Sequence, residues 1–361
     1  MEKKKILFTA KDLKIGGIEK ALVTLLNYLV DEYDITLVLE KKEGELLRQL
    51  DYKVKVEEYT PSEIGFMPVR KIINFINRLK AIHKYKNKFN TSVSFATYSL
   101  PGSFIARISS KNSVLWGHAN YLDLFQNNRI KMKEFFDNLK YNEFSKIVFV
   151  SREGMYTFVE LFPEIKKKVY YCNNLIDAKN VERLSNQSID MSKDSEVYTF
   201  LNVGRHDEKQ KKLSRIIKAA EKLKEENYKF KILLVGEGKD TEIYKQMVKK
   251  SGLEEQIIFL GKKENPYPYF NISDCVVLSS DYEGYPVVFL ESFILNKPII
   301  TTDVSDYEDV KNGRGIVVNK NWKDIYISMK RMIDDGYNIE NKFDQENYNI
   351  MIKNNLKNIL E

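Results

Sequence analysis

The chain alternates short apolar runs with longer stretches of helical spacing along almost its whole length. In the first half, apolar runs stand at 6–9, 35–39, 92–95, 113–116 and 147–150, and helical spacing covers 18–29 and 69–86. Unbroken apolar runs of four or five residues suit strands buried on both faces, and strands separated by helices predict a parallel sheet. The alternation pauses between 173 and 196, where Asn180, Ser185, Asn186, Ser188, Ser192 and Ser195 dilute the apolar signal. It restarts with runs at 199–203, 231–235, 257–260, 275–278, 299–301 and 315–318, and with helices over 213–225, over 242–249 and after Pro286. The expectation is an α/β protein of two doubly wound, Rossmann-like lobes: 1–175, a linker at 176–196, 197–337, and a final helical segment at 338–361. Such tandem lobes place ligands in a cleft at the carboxyl ends of their strands.

With 361 residues, 43% of them hydrophobic and 30% charged, each lobe can bury a core of its own. No apolar stretch is long enough to cross a bilayer, and Ile6-Leu7-Phe8 after Met1-Glu2-Lys3-Lys4-Lys5 is too short for a signal-peptide core, so a cytoplasmic protein is expected. Cys172 and Cys275 stand alone in apolar surroundings and read as buried thiols. Three histidines with no Cys/His cluster argue against structural zinc, and no metal site is expected.

Charge changes the picture in one place. Residues 1–180 hold 30 Lys and Arg against 21 Asp and Glu, a net +9, whereas the rest holds 28 against 30, a net −2. Much of the excess lies in 69–90, with Arg70, Lys71, Arg78, Lys80, Lys84, Lys86 and Lys88 and no acidic residue. Ile72, Ile73, Ile76 and Leu79 form an apolar stripe in the same segment, and the ordinary fate of such a stripe is to pack on a sheet. The basic flank also suits a peripheral contact with an anionic membrane surface, on the inner face of the cytoplasmic membrane. No nucleic-acid module accompanies the charge, so nucleic acid is not the expected partner.

The candidate chemistry gathers at strand ends. Glu283 and Glu291 flank Gly284-Tyr285-Pro286-Val287-Val288, between an apolar strand and a helix whose first residue is read as Pro286. A helix start offers free main-chain N–H groups to an anion such as phosphate, and two carboxylates beside it suit sugar hydroxyls. After 199–203, Gly204 permits a tight strand exit, and Arg205 and Lys211 can converge on a pyrophosphate. Gly236-Glu237-Gly238 lacks the third glycine of a dinucleotide-binding loop, because position 241 is Thr; it reads as a tight strand-to-helix turn brushing a nucleotide. Gly261, at another strand exit, lets a planar base approach the main chain. In the first lobe Gly16-Gly17 precede a helix, and His118 ends a strand; for each, a structural reading weighs about as much as a functional one.

Taken together, Gly16-Gly17, Gly204-Arg205 with Lys211, Val235 to Gly238, Phe259-Leu260-Gly261, Asn265-Pro266-Tyr267 and Ser279 to Glu291 resemble the retaining GT-B glycosyltransferases of family 4, with Glu283 and Glu291 as the Glu, seven residues, Glu motif. The likeness covers most of the chain, and is strongest over 201–318. It implies that Glu283 touches the donor sugar near its reacting carbon, that Gly284 to Val288 hold sugar hydroxyls and phosphate, and that Glu291 binds the ribose. Arg205 and Lys211 would neutralise the leaving diphosphate without a metal or other cofactor. His118 would meet the donor sugar from the other lobe, and Gly16-Gly17 would close over the phosphates. The implied donor is a UDP-linked hexose or N-acetylhexosamine, and the implied acceptor a surface glycan or lipid-linked saccharide. In two places the chain departs from the family pattern: Lys212 stands where a glycine often follows the lysine, and Asn173 to Asp177 replace a Pro-Asn-Gly-type turn. A sugar-nucleotide epimerase on the same architecture and a non-catalytic partner subunit are the alternatives; intact Glu283, Glu291, Arg205 and Lys211 weigh against the second.

Overall fold

The structure, a computed structural model, describes residues 2–64, 66–95 and 97–361. It divides into two compact units, Met1–Leu175 with Tyr348–Glu361, and Ile176–Asn347.

Unit one is built on strands β1 (Lys5–Ala10), β2 (Asp34–Leu39), β3 (Lys55–Glu58), β4 (Thr91–Ser94), β5 (Asn112–Gly117), β6 (Lys146–Phe149) and β7 (Val169–Tyr171). All pair in parallel in the order β3-β2-β1-β4-β5-β6-β7. The helices between them are α1 (Gly17–Leu29), α2 (Met67–Tyr85), α3 (Leu100–Ser109), α4 (Tyr121–Leu124), α5 (Arg129–Leu139) and α6 (Arg152–Leu161). β3, Lys-Val-Glu-Glu, lacks an apolar run and β7 is only three residues long, and that is why the periodicity does not announce them.

Phe136 of α5, Phe149 of β6 and Phe158 of α6 pack edge-on and tilted at 4.7–6.4 Å between ring centroids, all fully buried. Truncating Phe136 to Ala would cost about 3–5 kcal/mol.

Unit two holds α7 (Ala178–Ser185), β8 (Tyr198–Val203), α8 (Leu213–Glu225), β9 (Phe230–Val235), α9 (Thr241–Lys250), β10 (Ile257–Gly261) and α10 (Tyr267–Asn271). It continues with β11 (Cys275–Leu278), α11 (Val287–Ile294), β12 (Ile299–Thr302), α12 (Glu308–Lys311), β13 (Gly315–Val318) and α13 (Trp322–Asp335). Its six strands are parallel in the order β10-β9-β8-β11-β12-β13. Buried Ile216, Ala220 and Leu223 of α8 and Ile325, Met329 and Met332 of α13 share one apolar cluster with Phe200, Ile232 and Ile300 of the sheet. Cys172 and Cys275 are free and buried, and burial pushes both thiols up out of the reactive range.

Two expectations need correction. The segment 176–196 is not a bare linker: it carries α7, whose N-terminus is capped by Asp177 accepting from the Asn180 N–H at 3.1 Å. Asn265 and Asn271 donate to the Leu184 and Ser185 carbonyls at the end of α7 and tie it to unit two. Strong capping and three buried residues, Ala178, Val181 and Ser185, outweigh the polar composition that suggested a linker.

The second correction concerns α2. Its inward side is Ile73, Asn77, Ala81 and Tyr85, whereas Ile72, Phe75, Ile76 and Leu79 are exposed, from 45% to 62%. Of the expected stripe, Ile73 faces inward, whereas Ile72, Ile76 and Leu79 face outward and do not pack on the sheet.

The last helix, α14 (Gln345–Leu360), passes from unit two into unit one, where Ile352, Leu356, Ile359 and Leu360 are buried. Lys146 Nζ donates to the Asn358 and Ile359 carbonyls at 2.8 and 2.7 Å, and Thr91 Oγ1 to the Leu360 carbonyl at 2.7 Å. A lysine on the final carbonyls satisfies groups that a helix end leaves open and complements its dipole.

Candidate active site

In unit two the strand order reverses between β8 and β11, the switch point at which doubly wound sheets open a crevice. The loops leaving those two strands carry Gly204 to Lys212 and Ser279 to Pro286. Lys211 Nζ lies 2.5 Å from Glu283 Oε1, and Ser280 Oγ donates to the same oxygen at 2.7 Å. Gln210 Nε2 donates to Glu283 Oε2 at 3.4 Å, and Ser305 Oγ to the Glu283 carbonyl at 3.0 Å. The Glu283 residue is 7% exposed, so its carboxylate is fixed on two sides and open at little more than an edge. Lys211, not Lys212, is therefore the cation brought to Glu283. Arg205, at the same strand end, is exposed and donates to Gln210 Oε1 at 3.0 Å.

Lys212 has a different position and a different task. Its φ is +50°, the left-handed region that glycine enters freely and a lysine enters at a cost of about 1–2 kcal/mol. Ser279 Oγ reaches the carbonyls of Lys211 and Lys212 at 2.8 and 2.9 Å. Arg215, in the first turn of α8, donates to the Ser279 carbonyl at 2.9 Å and pairs with Asp281 at 2.6 Å. These bonds join the two loops of the switch point into one block.

The second carboxylate, Glu291, is 3% exposed in the middle of α11 and accepts from the Tyr267 hydroxyl at 3.1 Å. Pro286 proves to be the N-cap of α11, with an extended ψ of 113°, so the helix begins at Val287, one residue later than the sequence suggested. No side chain caps α11, nor α8, whereas Ser99, Asn120, Asn128, Ser151, Asp177 and Asn321 each cap another helix. The opening N–H groups of α11 at Val287 and Val288 are thus presented as main-chain donors beside Gly284 and Tyr285. Tyr285 is held by its hydroxyl on Asp309 at 2.8 Å.

The glycines at neighbouring strand ends differ in need. Gly236 has φ +138°, and a Cβ there would lie 1.9 Å from the Gly204 carbonyl oxygen. Gly204 has room, since its Cβ would meet only the flexible Lys211 stem at 3.5 Å. The close approach thus constrains position 236 and not 204. Gly261, at φ +71°, donates nothing to crowding except near Glu237, 3.0 Å from a virtual Cβ, and its carbonyl accepts from the Gly236 N–H at 2.9 Å.

In unit one the matching switch point lies between β1 and β4. Gly16 is the N-cap of α1 in extended backbone, and Glu19 folds back over it, so that a Cβ on Gly16 would meet the carboxylate at 2.2 Å. The Tyr98 hydroxyl donates to Glu19 at 2.5 Å. A carboxylate thus stands over the turn formed by Gly16 and Gly17. His118 follows β5 with its ring 4.3 Å from Phe95 and 6.4 Å from Trp116. Burial pushes its pKa down to about 3, and Nε2 has no partner among the described residues, so the imidazole is neutral at physiological pH.

Sequence reasoning gave no role to Gln210 or Arg215 and took in Ser279, Ser280 and Tyr267 only as members of motif runs, although all five bind the loops and carboxylates. Only Arg215 carried a signal, as a lone cation in the first turn of a helix, where the dipole disfavours it.

Comparison with known proteins bears on the fold. Residues 185–350 match the family described as glycosyl transferases group 1. The GalNAc-alpha-(1->4)-GalNAc-alpha-(1->3)-diNAcBac-PP-undecaprenol alpha-1,4-N-acetyl-D-galactosaminyltransferase of Campylobacter jejuni is 25% identical, over 98% of this chain and 92% of its own. An uncharacterized glycosyltransferase of Methanocaldococcus jannaschii is 23% identical over 76% of this chain, and the match spans 65% of that protein's length. Among solved structures, Anabaena HepE with UDP and glucose superposes with a TM-score of 0.76 at 17% identity, covering 98% of this chain and 99% of that one. A TarM variant of S. aureus in complex with UDP gives 0.74 at 12% identity, over 99% and 100%. The chain has the GT-B fold, and its second unit matches the glycosyl transferases group 1 family, which supports a glycosyltransferase.

Proposed function

We propose that this protein is a retaining glycosyltransferase that moves a hexose or N-acetylhexosamine from a UDP-linked donor to a saccharide or lipid-linked saccharide. The observation that carries the reading is the Lys211–Glu283 pair at the β8/β11 switch point, with Arg205 on the same strand end. In this reading Arg205 and Lys211 take up the charge that grows on the diphosphate as the bond from the anomeric carbon to the phosphate oxygen breaks. The acceptor hydroxyl forms the new carbon–oxygen bond on the face the diphosphate leaves, and its proton passes to the departing phosphate oxygen. Glu283 orients the sugar, Glu291 the ribose, and the main chain from Gly284 to Val288 the remaining hydroxyls and phosphate. No metal is required when two side-chain cations do this work. Neutral His118 serves as a hydrogen-bonding group toward the sugar.

The test is turnover of a UDP-sugar panel with a lipid extract as acceptor source. Glu283→Ala, and Arg205→Ala with Lys211→Ala together, abolish transfer while the circular dichroism of the fold is kept; near-normal turnover in both would refute the assignment. Epimer formation without acceptor would favour the epimerase instead.

The acceptor side of the proposal rests on α2. Exposed Ile72, Phe75, Ile76 and Leu79 recur at helical spacing, with Lys71 and Arg78 on one flank and Lys80 on the other. Among the described residues no helix is long and apolar enough to cross a membrane. An interfacial helix needs only an apolar face and cations, and an anionic lipid surface supplies the matching charge. Vesicle flotation that is indifferent to anionic lipid would count against this contact.

A further inference from the structure

His206 follows Arg205 directly and is fully buried. Its ring stands edge-on to Tyr244 of α9 and Phe259 of β10, with centroids 5.9 Å away in each case. Nδ1 lies 2.9 Å from Thr241 Oγ1. That hydroxyl also accepts the Gly238 N–H at 3.0 Å and lies 2.9 Å from the Gly238 carbonyl. A threonine hydroxyl has one proton to give. With the imidazole proton on Nδ1, the ring donates to Thr241, Thr241 donates to the Gly238 carbonyl, and every group in the triangle is satisfied. Nε2 is then a bare lone pair, and it is indeed buried without a partner among the described residues. An orphaned acceptor is better tolerated in a protein interior than an orphaned N–H. The main chain adds two more ties: the His206 N–H donates to the Glu237 carbonyl at 3.1 Å, and the Asp240 N–H to the His206 carbonyl at 3.3 Å.

We infer that His206 is a positioning residue: it latches the 204–212 loop to the 236–241 turn and so holds Arg205 and Lys211 in place for the donor diphosphate. The inference rests on the reading of those two cations as diphosphate ligands. The latch needs a neutral ring, since a second proton would put an N–H on Nε2 where nothing accepts it. The titratable groups facing the ring are Glu237 in the turn and Tyr244 and Lys245 on α9. Burial holds the imidazole below its ordinary range, Lys245 adds to this, and Glu237 opposes it. The native ring therefore stays neutral, and the latch whole, to a pH below the ordinary imidazole value of about 6.5, and the latch is lost only when pH falls through the ring's lowered value.

The experiment is calorimetric titration of UDP into wild type, His206→Leu, Thr241→Val and the double variant from neutral to acidic pH, with amide hydrogen exchange of the 204–212 loop in parallel. Each single change raises the Kd for UDP about tenfold, the worth of one buried hydrogen bond. The double variant is no weaker than about either single, because both break one latch. Wild-type affinity holds below the pH at which an ordinary imidazole would take up a proton and falls only at lower pH, whereas that of His206→Leu stays flat throughout, and His206→Asn, which keeps a donor near Nδ1, recovers most of the affinity. Should His206→Leu fail to fold, Thr241→Val carries the same comparison. Wild-type affinity, pH dependence and loop exchange in these variants would overturn the inference. If wild type binds no nucleoside diphosphate at all, the functional reading falls by itself; the latch then stands on faster exchange of 204–212 in the variants and falls on unchanged exchange.

Discussion

The two units solve the same topology and arm it differently. Each reverses strand order beside its first strand, β1/β4 in one and β8/β11 in the other, and each sets a carboxylate at that point. In unit two the carboxylate is Glu283, and it faces a lysine at 2.5 Å. In unit one it is Glu19, and it faces the Tyr98 hydroxyl. The scaffold alone gives a crevice; the two acids differ in burial, Glu283 being buried and Glu19 half-buried. In the proposed function, the crevice with the cation-paired acid and the main-chain donors of α11 nearby is the one that meets the donor's phosphate.

The sharpest break in this comparison is Glu283→Gln. It keeps the shape of the side chain and removes the charge that Lys211 and Ser280 meet, so transfer should fall about 100- to 1000-fold, measured as turnover of the donor sugar. The equivalent Glu19→Gln should leave donor affinity far less affected; equal losses would erase the distinction between the units.

The glycines come next. Gly236→Ala forces a Cβ to within 1.9 Å of a main-chain oxygen at a φ that alanine resists, and should cost about 3–5 kcal/mol in denaturant unfolding. Gly204→Ala meets only a flexible lysine stem and should cost under about 1 kcal/mol. Similar losses at both would mean that the strand-end contact is misassigned.

His118→Gln should lower transfer about tenfold, the loss of one hydrogen bond to the sugar. Its imidazole, with a pKa pushed down to about 3, should show no titration by NMR between about pH 5 and 8. The sign follows from that depression: the unfolded chain takes up a proton near pH 6.5 and the native ring does not, so His118 costs stability as pH falls through that window. The smallest effect is expected at Lys212→Gly, where relief of the left-handed lysine and the greater freedom of an unfolded glycine nearly cancel, within about 1 kcal/mol.

Much of this was legible in the chain. Double-sided burial makes parallel strands continuous apolar runs, and so the central strands and both carboxylates could be placed from spacing alone. The departure at Lys212 was visible in the chain, but its left-handed backbone, φ +50°, was not. What escaped has physical reasons too. The edge strands Lys55–Glu58 and Val169–Tyr171 are only half buried and need no apolar run. Helix α7 is held by a cap and by asparagines from distant sequence, which composition cannot reveal. The outward stripe of α2 has the same periodicity as an inward one, and which side meets the sheet is fixed by tertiary packing. The partners of Gln210 and Tyr267 lie far along the chain, so the runs that contain these residues do not reveal what they bind.

The central claim is that the donor's diphosphate and sugar are held by unit two at the β8/β11 switch point. Amide hydrogen exchange with and without UDP tests it most directly. Slowed exchange confined to 204–212, 236–241 and 279–291 is the predicted result; UDP binding that leaves these three segments unprotected would contradict it.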